Sequence, residues 1–467
     1  MKMWSGRFRE PLDPAFERWQ RSLPFDQRLL KHEVQASRAY ARALRKAEVL
    51  SAQELASIES GLDQIAEKAL VSPTFLNDDE AEDIHHFVEK QLIAILGDVG
   101  GKLHTGRSRN EQIATDLRLY VRESIDVLCI SLAELLEVLL ARAEQAGDAA
   151  MPAYTHLQRA EPVLVAHWLL AYFEMFLRDA DRLQDCRKRV NLCPLGCGAV
   201  AGSTLTLDRQ AMAAELGFVG PTLNSIDSTS DRDFALEFVD ALSLLALHLS
   251  RWAEEMILFS TTEFGFIQLP EAFSTGSSAM PQKKNPDLLE LTRGKAGRIL
   301  GNATALQVNL KGLPLAYNKD LQETQEPLFD ASETMLALVP LIAEWMEKVE
   351  FNSSRMQIAA ESGFMNAFAA ATYLAEKGIP FRLAHEQVGK AVQLALERGC
   401  ELKDLPLADF RQISPAFDED FYSHLSVQSV LAIHDVPGGT APARVGQALA
   451  QARQNLSVMR GMAHAHA

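Results

Sequence analysis

Forty consecutive residues from Arg107 to Ala146 contain neither Gly nor Pro, as do 31 from Val163 to Cys193 and 43 from Thr222 to Phe264. Strands rarely exceed about ten residues, so runs this long without a backbone breaker predict helices. Within 234–262 apolar residues recur at intervals of three and four, the period of a helix packed against neighbours. At about 1.5 Å per residue such helices are roughly 40 to 60 Å long, more than a small domain is wide. They need partners along their whole length, and a bundle of long helices shared between subunits supplies them. Hairpin signals such as Asn-Gly flanked by alternating residues are nearly absent. The expected fold class is therefore all-α: a long central helical bundle with smaller helical domains at either end. Shorter-helix material before about Leu103 and after about Phe364 sets the expected boundaries at 1–103, 104–363 and 364–467. The acidic run in NDDEAEDIHHFVE opens one of the shorter helices, and His85 and His86 on it read as surface or packing residues.

A formal net charge of −16 repels phosphate backbones and anionic membranes, so neither nucleic acid nor membrane is an expected partner. A polycarboxylate substrate would need a local cluster of cations, because short distances outweigh a screened distant field. The first sixteen residues place charges where a secretion signal needs its apolar stretch, and no span reaches the length of a membrane helix. Five cysteines, an odd number, suggest reduced thiols in a cytoplasm. Cys193 and Cys197, with Cys186 nearby, lack a second ligand pair at structural-zinc spacing, so no metal is expected. The final MAHAHA reads as disordered.

Four polar stretches interrupt the helices: 101–112, 154–162, 274–287 and 317–327. In the first, Ser108 or Asn110 caps the helix that follows, and Arg107 and Arg109 stand beside its unpaired N–H groups, a ready anion site. In the second, Pro152 and Pro162 bracket Thr155 and His156, which puts this imidazole on non-helical chain. In the third, Gly276 gives backbone freedom, Ser277 and Ser278 offer hydroxyls, and Pro281 and Pro286 keep Lys283, Lys284 and Asn285 out of a regular helix. That pattern suits a lid closing on an anion. Each stretch also fits a plain connector or helix entry, and no reaction follows from composition and spacing alone.

GSSAMPQKKNP, residues 276–286, resembles the GSSxMPxKxNP signature of the fumarase and aspartase superfamily, whose members cleave C–N or C–O bonds and release fumarate. MWSGRF (3–8), GKLHTGRSRN (101–110), YTHLQRAEP, SDRDFALEF (230–238), YNKDLQE (317–323) and GGTAPARV (438–445) resemble the argininosuccinate lyase branch in particular. The resemblance covers almost the whole chain. It implies a homotetrameric enzyme without metal or organic cofactor that splits argininosuccinate into arginine and fumarate, each site built from segments of three subunits. The nearest other readings are a sister enzyme such as adenylosuccinate lyase and a catalytically silent lens-crystallin-like protein.

Removing a proton next to a carboxylate creates a dianionic aci-carboxylate, so the site needs a base and concentrated positive charge. The resemblance assigns the base to Ser277, stabilised by Lys283 and loop N–H groups, and the neutralising cation to Lys283, with Asn285 at the same end. It makes His156 the general acid or part of the proton relay, with Glu290 orienting it. Ser22, Arg109, Asn110, Thr155, Tyr317 and Gln322 match substrate-binding positions. Three positions depart from the common pattern: Gln325 where many relatives have lysine, Glu111 where aspartate is common, and Cys197 where serine is common. The amide at Gln325 is expected to alter affinity for the arginine end sooner than bond cleavage.

Overall fold

The structure is a computed structural model that describes residues 10–466, so MWSGRF lies outside the described residues. Helices α1 (Leu30–Lys46), α2 (Ala52–Val71) and α3 (Ile84–Leu96) precede the longest helix, α4 (Arg109–Ala146), whose 38 residues span about 57 Å. A hairpin of β1 (Ala150–Thr155) and β2 (Gln158–Leu164) leads into α5 (Val165–Val190) and then α6 (Asp233–Ser260). The short strands β3 (Ile267–Gln268), β4 (Thr275–Gly276) and β5 (Lys284–Asn285) precede α7 (Asp287–Leu310) and α8 (Gln325–Lys348). Strand β6 (Glu350–Phe351) pairs with β3, and β4 pairs with β5. Four further helices carry the argument: α9 (Ser353–Ala360), α10 (Ala367–Glu376), α11 (Phe381–Arg398) and α12 (Pro442–His466). Strands are confined to short pairs, and the all-helical expectation stands. The backbone of the MAHAHA tail continues α12 to His466, where disorder was expected.

The 222–264 run is not one helix. A short helix, Ser225–Ser230, stops before α6, because Asp231 turns extended and its carboxylate accepts the Asp233 N–H at 2.8 Å. An aspartate cap thus does what Gly or Pro usually does. Arg118 of α4 pairs with the same carboxylate.

The chain divides into two compact units, one comprising Met1–Val127, Asp181–Leu244 and Gly297–Leu336, the other Leu128–Ala180, Leu245–Ala296 and Ala337–Ala467. In the first, Tyr40, Leu44, Phe87, Leu117, Val121 and Phe329 are buried. Each such side chain contributes about 1.5 to 3 kcal/mol through removal from water. The ring of Tyr120 meets Phe329 edge-on at 5.0 Å. In the second, Trp252 of α6 and Trp345 of α8 pack edge to face at 5.1 Å, and Phe410, Phe417 and Phe421 form a separate core with α10 and α11.

The 434–441 segment is tightly packed. A Cβ on Gly439 would lie 2.1 Å from the carbonyl oxygen of His434, while the next residue, Thr440, is buried and accepts the Leu164 N–H of β2 at 2.9 Å. Gly439→Ala therefore forces backbone apart and is expected to cost about 1–3 kcal/mol. A lowered thermal midpoint checks this, and an unchanged one contradicts it.

Candidate active site

In the first unit the 82–84 turn gathers several of the proposed substrate-binding residues. The N–H groups of Ser22 and Leu23 both donate to the Glu82 carbonyl, and the Ser22 hydroxyl donates to Asp26 at 2.6 Å. Asp26 also accepts the Ile84 N–H at 3.0 Å. Asp83 caps α3 by accepting the His86 N–H at 2.7 Å, and Arg109 forms an ion pair with it while also lying 3.5 Å from Glu89. Gln322 donates to the Gln20 carbonyl at 3.0 Å, and Lys319 pairs with Glu82 at 2.8 Å. Tyr317 feels the charges of Arg232, Asp83, Glu82 and Arg109, and burial pushes its phenol up. Ser22, Arg109, Tyr317 and Gln322 thus come together, with Asn110 on the first turn of α4.

The cap of α4 is Ser108. Its hydroxyl accepts the Asn110 N–H at 3.3 Å, and Glu111 reaches back to the Ser108 N–H at 2.9 Å. The other oxygen of Glu111 accepts the Gly198 N–H at 2.9 Å, so glutamate fits here by bridging two backbone segments. Cys197, beside it, is buried. The second expected guanidinium, Arg107, is not part of an anion cradle: it is buried, donates to Ser37 at 2.9 Å and lies over the Tyr40 ring.

His85 is not a surface residue. It is fully enclosed, with Nδ1 at 2.9 Å from Glu33 and 3.4 Å from Asp116. Burial pushes Glu33 up, but His85 and Arg107 outweigh it and hold this carboxyl below its usual range, whereas burial and the neighbouring Glu33 push Asp116 well up. Ligating atoms of Glu33, His85 and Asp116 lie within 4.8 Å of one another. Glu33 is already occupied, however, by hydrogen bonds from Ser37 and Gln112 and by the pair with His85. With Arg107 at 3.9 Å, the cluster balances its own charge and suits an ion network better than a cation.

Sequence reasoning missed Asp26, Asp83 and Arg232. The side chain of Arg232 is fully buried; it donates to the Asp231 carbonyl at 2.7 Å, while Nε and one terminal nitrogen have no protein partner. Burial pulls its guanidinium down to about 10, partly offset by Tyr317 and Asp231, so it stays cationic at neutral pH. Only the SDRDFALEF match pointed at it. Gln325 is buried too, and its Oε1 has no partner.

Burial, and next the charge of Asp83, push the Asp26 carboxyl up to about 7 from 3.8. The unfolded carboxyl ionises from about pH 4 while the folded one keeps its proton, so the stability this site contributes is lost progressively as pH rises toward 7. Asp26→Asn cannot ionise. Its thermal midpoint, measured against the parent, should therefore be more favourable at pH 8 than at pH 5; an equal difference at both pH values contradicts this.

The second unit carries the proposed reacting groups. Thr155 pairs with Gln158 across the hairpin, and His156 and Leu157 form its two-residue turn with φ of 54° and 58°. Both central residues are left-handed, the geometry that Asn-Gly normally supplies, so a histidine held there is strained. In the third stretch, β4 and β5 close a loop whose base is tied by Asp287, which accepts from the Thr275 N–H at 3.1 Å and hydroxyl at 2.7 Å. Asn285 donates to the Thr275 hydroxyl at 3.3 Å, and Lys284 to the Leu269 carbonyl at 2.9 Å. Gly276 is an ordinary strand residue rather than a hinge. The Ser277 oxygen accepts the N–H groups of Ala279 at 3.3 Å and Met280 at 3.1 Å. Glu290 sits on the first turn of α7, and like His156 and Lys283 it is exposed. Among the described residues no hydrogen bond within the chain joins His156 to Glu290.

A family model described as lyase matches residues 6–301, and one described as argininosuccinate lyase C-terminal matches 364–432. The argininosuccinate lyase of Koribacter versatilis is 60% identical over 467 residues, all of both chains. The chain belongs to the argininosuccinate lyase family. The argininosuccinate lyase of Acidobacterium capsulatum is 61% identical over 96% of this chain and 93% of its own. Among solved structures, an EDDS lyase in complex with formate is similar with a TM-score of 0.85 and 26% identity, covering 98% of this chain and 93% of that one. An EDDS lyase variant with bound fumarate gives 0.84 at the same identity and coverage. As a member of the argininosuccinate lyase family the chain is a carbon–nitrogen lyase, and the all-helical architecture is the one these neighbours share.

Proposed function

We propose that the chain cleaves argininosuccinate reversibly into arginine and fumarate, by removal of the Cβ proton through a stabilised aci-carboxylate, without metal or organic cofactor. The observation that carries the mechanism is the pair of backbone N–H groups on the Ser277 oxygen. A free serine hydroxyl is far too weak a base, and two donors aimed at its oxygen favour the ionised form. Lys283 then neutralises the developing aci-carboxylate, with Asn285 at the same end. His156, oriented by Glu290, protonates the departing guanidino nitrogen or relays the proton. Ser22, Arg109, Asn110, Thr155, Tyr317 and Gln322 bind the rest of a substrate with three carboxylates and a guanidinium, and Arg232 adds buried positive charge beside Tyr317.

The working form in this reading is a homotetramer with sites shared between subunits. Exposure of His156, Lys283 and Glu290 in the single chain supports it, because proton abstraction to a dianion demands a water-poor site. So does the apolar surface left on the long helices at Leu247, Leu291, Val308 and Leu341, which a second copy would bury. The five free thiols fit a cytoplasmic location.

The reverse direction tests the substrate. Fumarate mixed with the protein should lose its ultraviolet absorbance on addition of arginine and not of adenosine monophosphate or ammonia. Consumption with either of the others and not with arginine would overturn the assignment.

A further inference from the structure

Arg159 lies directly across the hairpin from Tyr154, one residue pair from the His156–Leu157 turn. Its guanidinium Nη1 donates to the Ala359 carbonyl at 3.2 Å and to the Ser362 hydroxyl at 2.8 Å, with the Ser362 carbonyl at 3.5 Å. These acceptors form the end of α9 and the turn after it, where unpaired carbonyls and the helix dipole favour a cation. That turn is itself pinned. Gly363 and Phe364 both have positive φ, 84° and 59°, and their N–H groups donate to the two oxygens of Glu401 at 2.9 and 3.3 Å. A chain of contacts therefore runs from Glu401 through the 362–364 turn and Arg159 to the hairpin tip. At the opposite end of the hairpin, Thr440 holds Leu164 and His434 lies 3.3 Å from Glu161. Between them, Tyr154 packs on Phe259 and Phe264.

A turn of two left-handed non-glycine residues keeps its shape only if its surroundings over-determine it. Thr440, Glu161 and Tyr154 fix the strands. Arg159, one residue pair from the turn, is the hydrogen-bonded tie that joins this end of the hairpin to the 359–362 segment.

We propose that Arg159 is a positioning residue: it fixes the strained His156 turn by clamping it to the 359–364 segment, so that Glu401 and the C-terminal region set where the imidazole stands. This rests on the reading of His156 as the proton-transfer group. The clamp touches no substrate, so its loss should lower turnover through misplacement of the imidazole and change substrate affinity far less, through Thr155 beside the turn.

The test compares Arg159→Ala, Arg159→Lys and Ser362→Ala with His156→Asn, alone and combined with Arg159→Ala, in steady-state kinetics with circular dichroism and light scattering. The expected result is a kcat about 10- to 100-fold lower for Arg159→Ala with KM within about twofold, and partial recovery in Arg159→Lys. Ser362→Ala should show a smaller loss of the same kind. In the His156→Asn background, removing Arg159 should cause no further loss, which a merely structural role would not produce. Unchanged kcat in Arg159→Ala and Ser362→Ala, beside an inactive His156→Asn, overturns the clamp and leaves the reading of His156 intact. A multiplicative loss in the double variant overturns it too. Full activity of His156→Asn overturns the underlying reading.

Discussion

Ser277→Ala is expected to lower turnover of argininosuccinate by at least about 10³-fold, the scale on which removal of a group that reacts in the transition state is felt. The loop that carries Ser277 keeps its own supports in the variant. Asp287 still ties Thr275, Asn285 still meets the Thr275 hydroxyl, and β4 still pairs with β5. What disappears is the oxygen that the Ala279 and Met280 N–H groups hold, so the loss should fall on kcat with helicity and assembly unchanged. The same two N–H groups would stabilise a serine oxygen after it gives up its proton, which is why the loss should be far larger than that of a binding contact. Circular dichroism and light scattering beside the kinetics separate the two cases. Turnover within a few fold of the parent would remove Ser277 from the chemistry.

Separating the subunits of the proposed homotetramer is expected to abolish activity altogether. In a single chain His156, Lys283 and Glu290 stand exposed, and water at full dielectric weakens every charge interaction on which an aci-carboxylate depends. In the proposed homotetramer other copies cover the exposed Leu247, Leu291, Val308 and Leu341, so assembly and activity should be lost together on dilution or in mild denaturant. Gel filtration with light scattering, followed by assay of each peak, reads this directly. A fully active monomer contradicts it.

The long helices were legible because the constraint that makes them is local: runs without Gly or Pro and with a three-to-four apolar period. The features that escaped share a tertiary cause. The break before α6 comes from an aspartate whose capping role depends on chain conformation, and it leaves no Gly or Pro to find. The β1–β2 hairpin is turned by His156 and Leu157, which carry none of the usual turn chemistry, so its support comes from distant segments: Phe259 and Phe264 against Tyr154, Ala359 and Ser362 on Arg159, and Thr440 on Leu164. His85 read as a surface or packing residue, because the groups that enclose it, Glu33, Arg107 and Asp116, are spread over more than eighty positions. Arg232 and Asp26 look like ordinary charges in the sequence, and only burial makes them unusual. The proposed reacting groups became visible only through the resemblance: His156 lies on the hairpin tip and Ser277 and Lys283 on the loop between β4 and β5, neither of which has a periodic signature, while Glu290 stands at the start of α7.

The most direct measurement is the rise of ultraviolet absorbance as fumarate forms when the purified protein is mixed with argininosuccinate, with adenylosuccinate and aspartate in parallel. Fumarate from argininosuccinate alone is the predicted result. Silence with all three, from a folded and assembled protein, would contradict the assignment and make Gln325 the first residue to suspect.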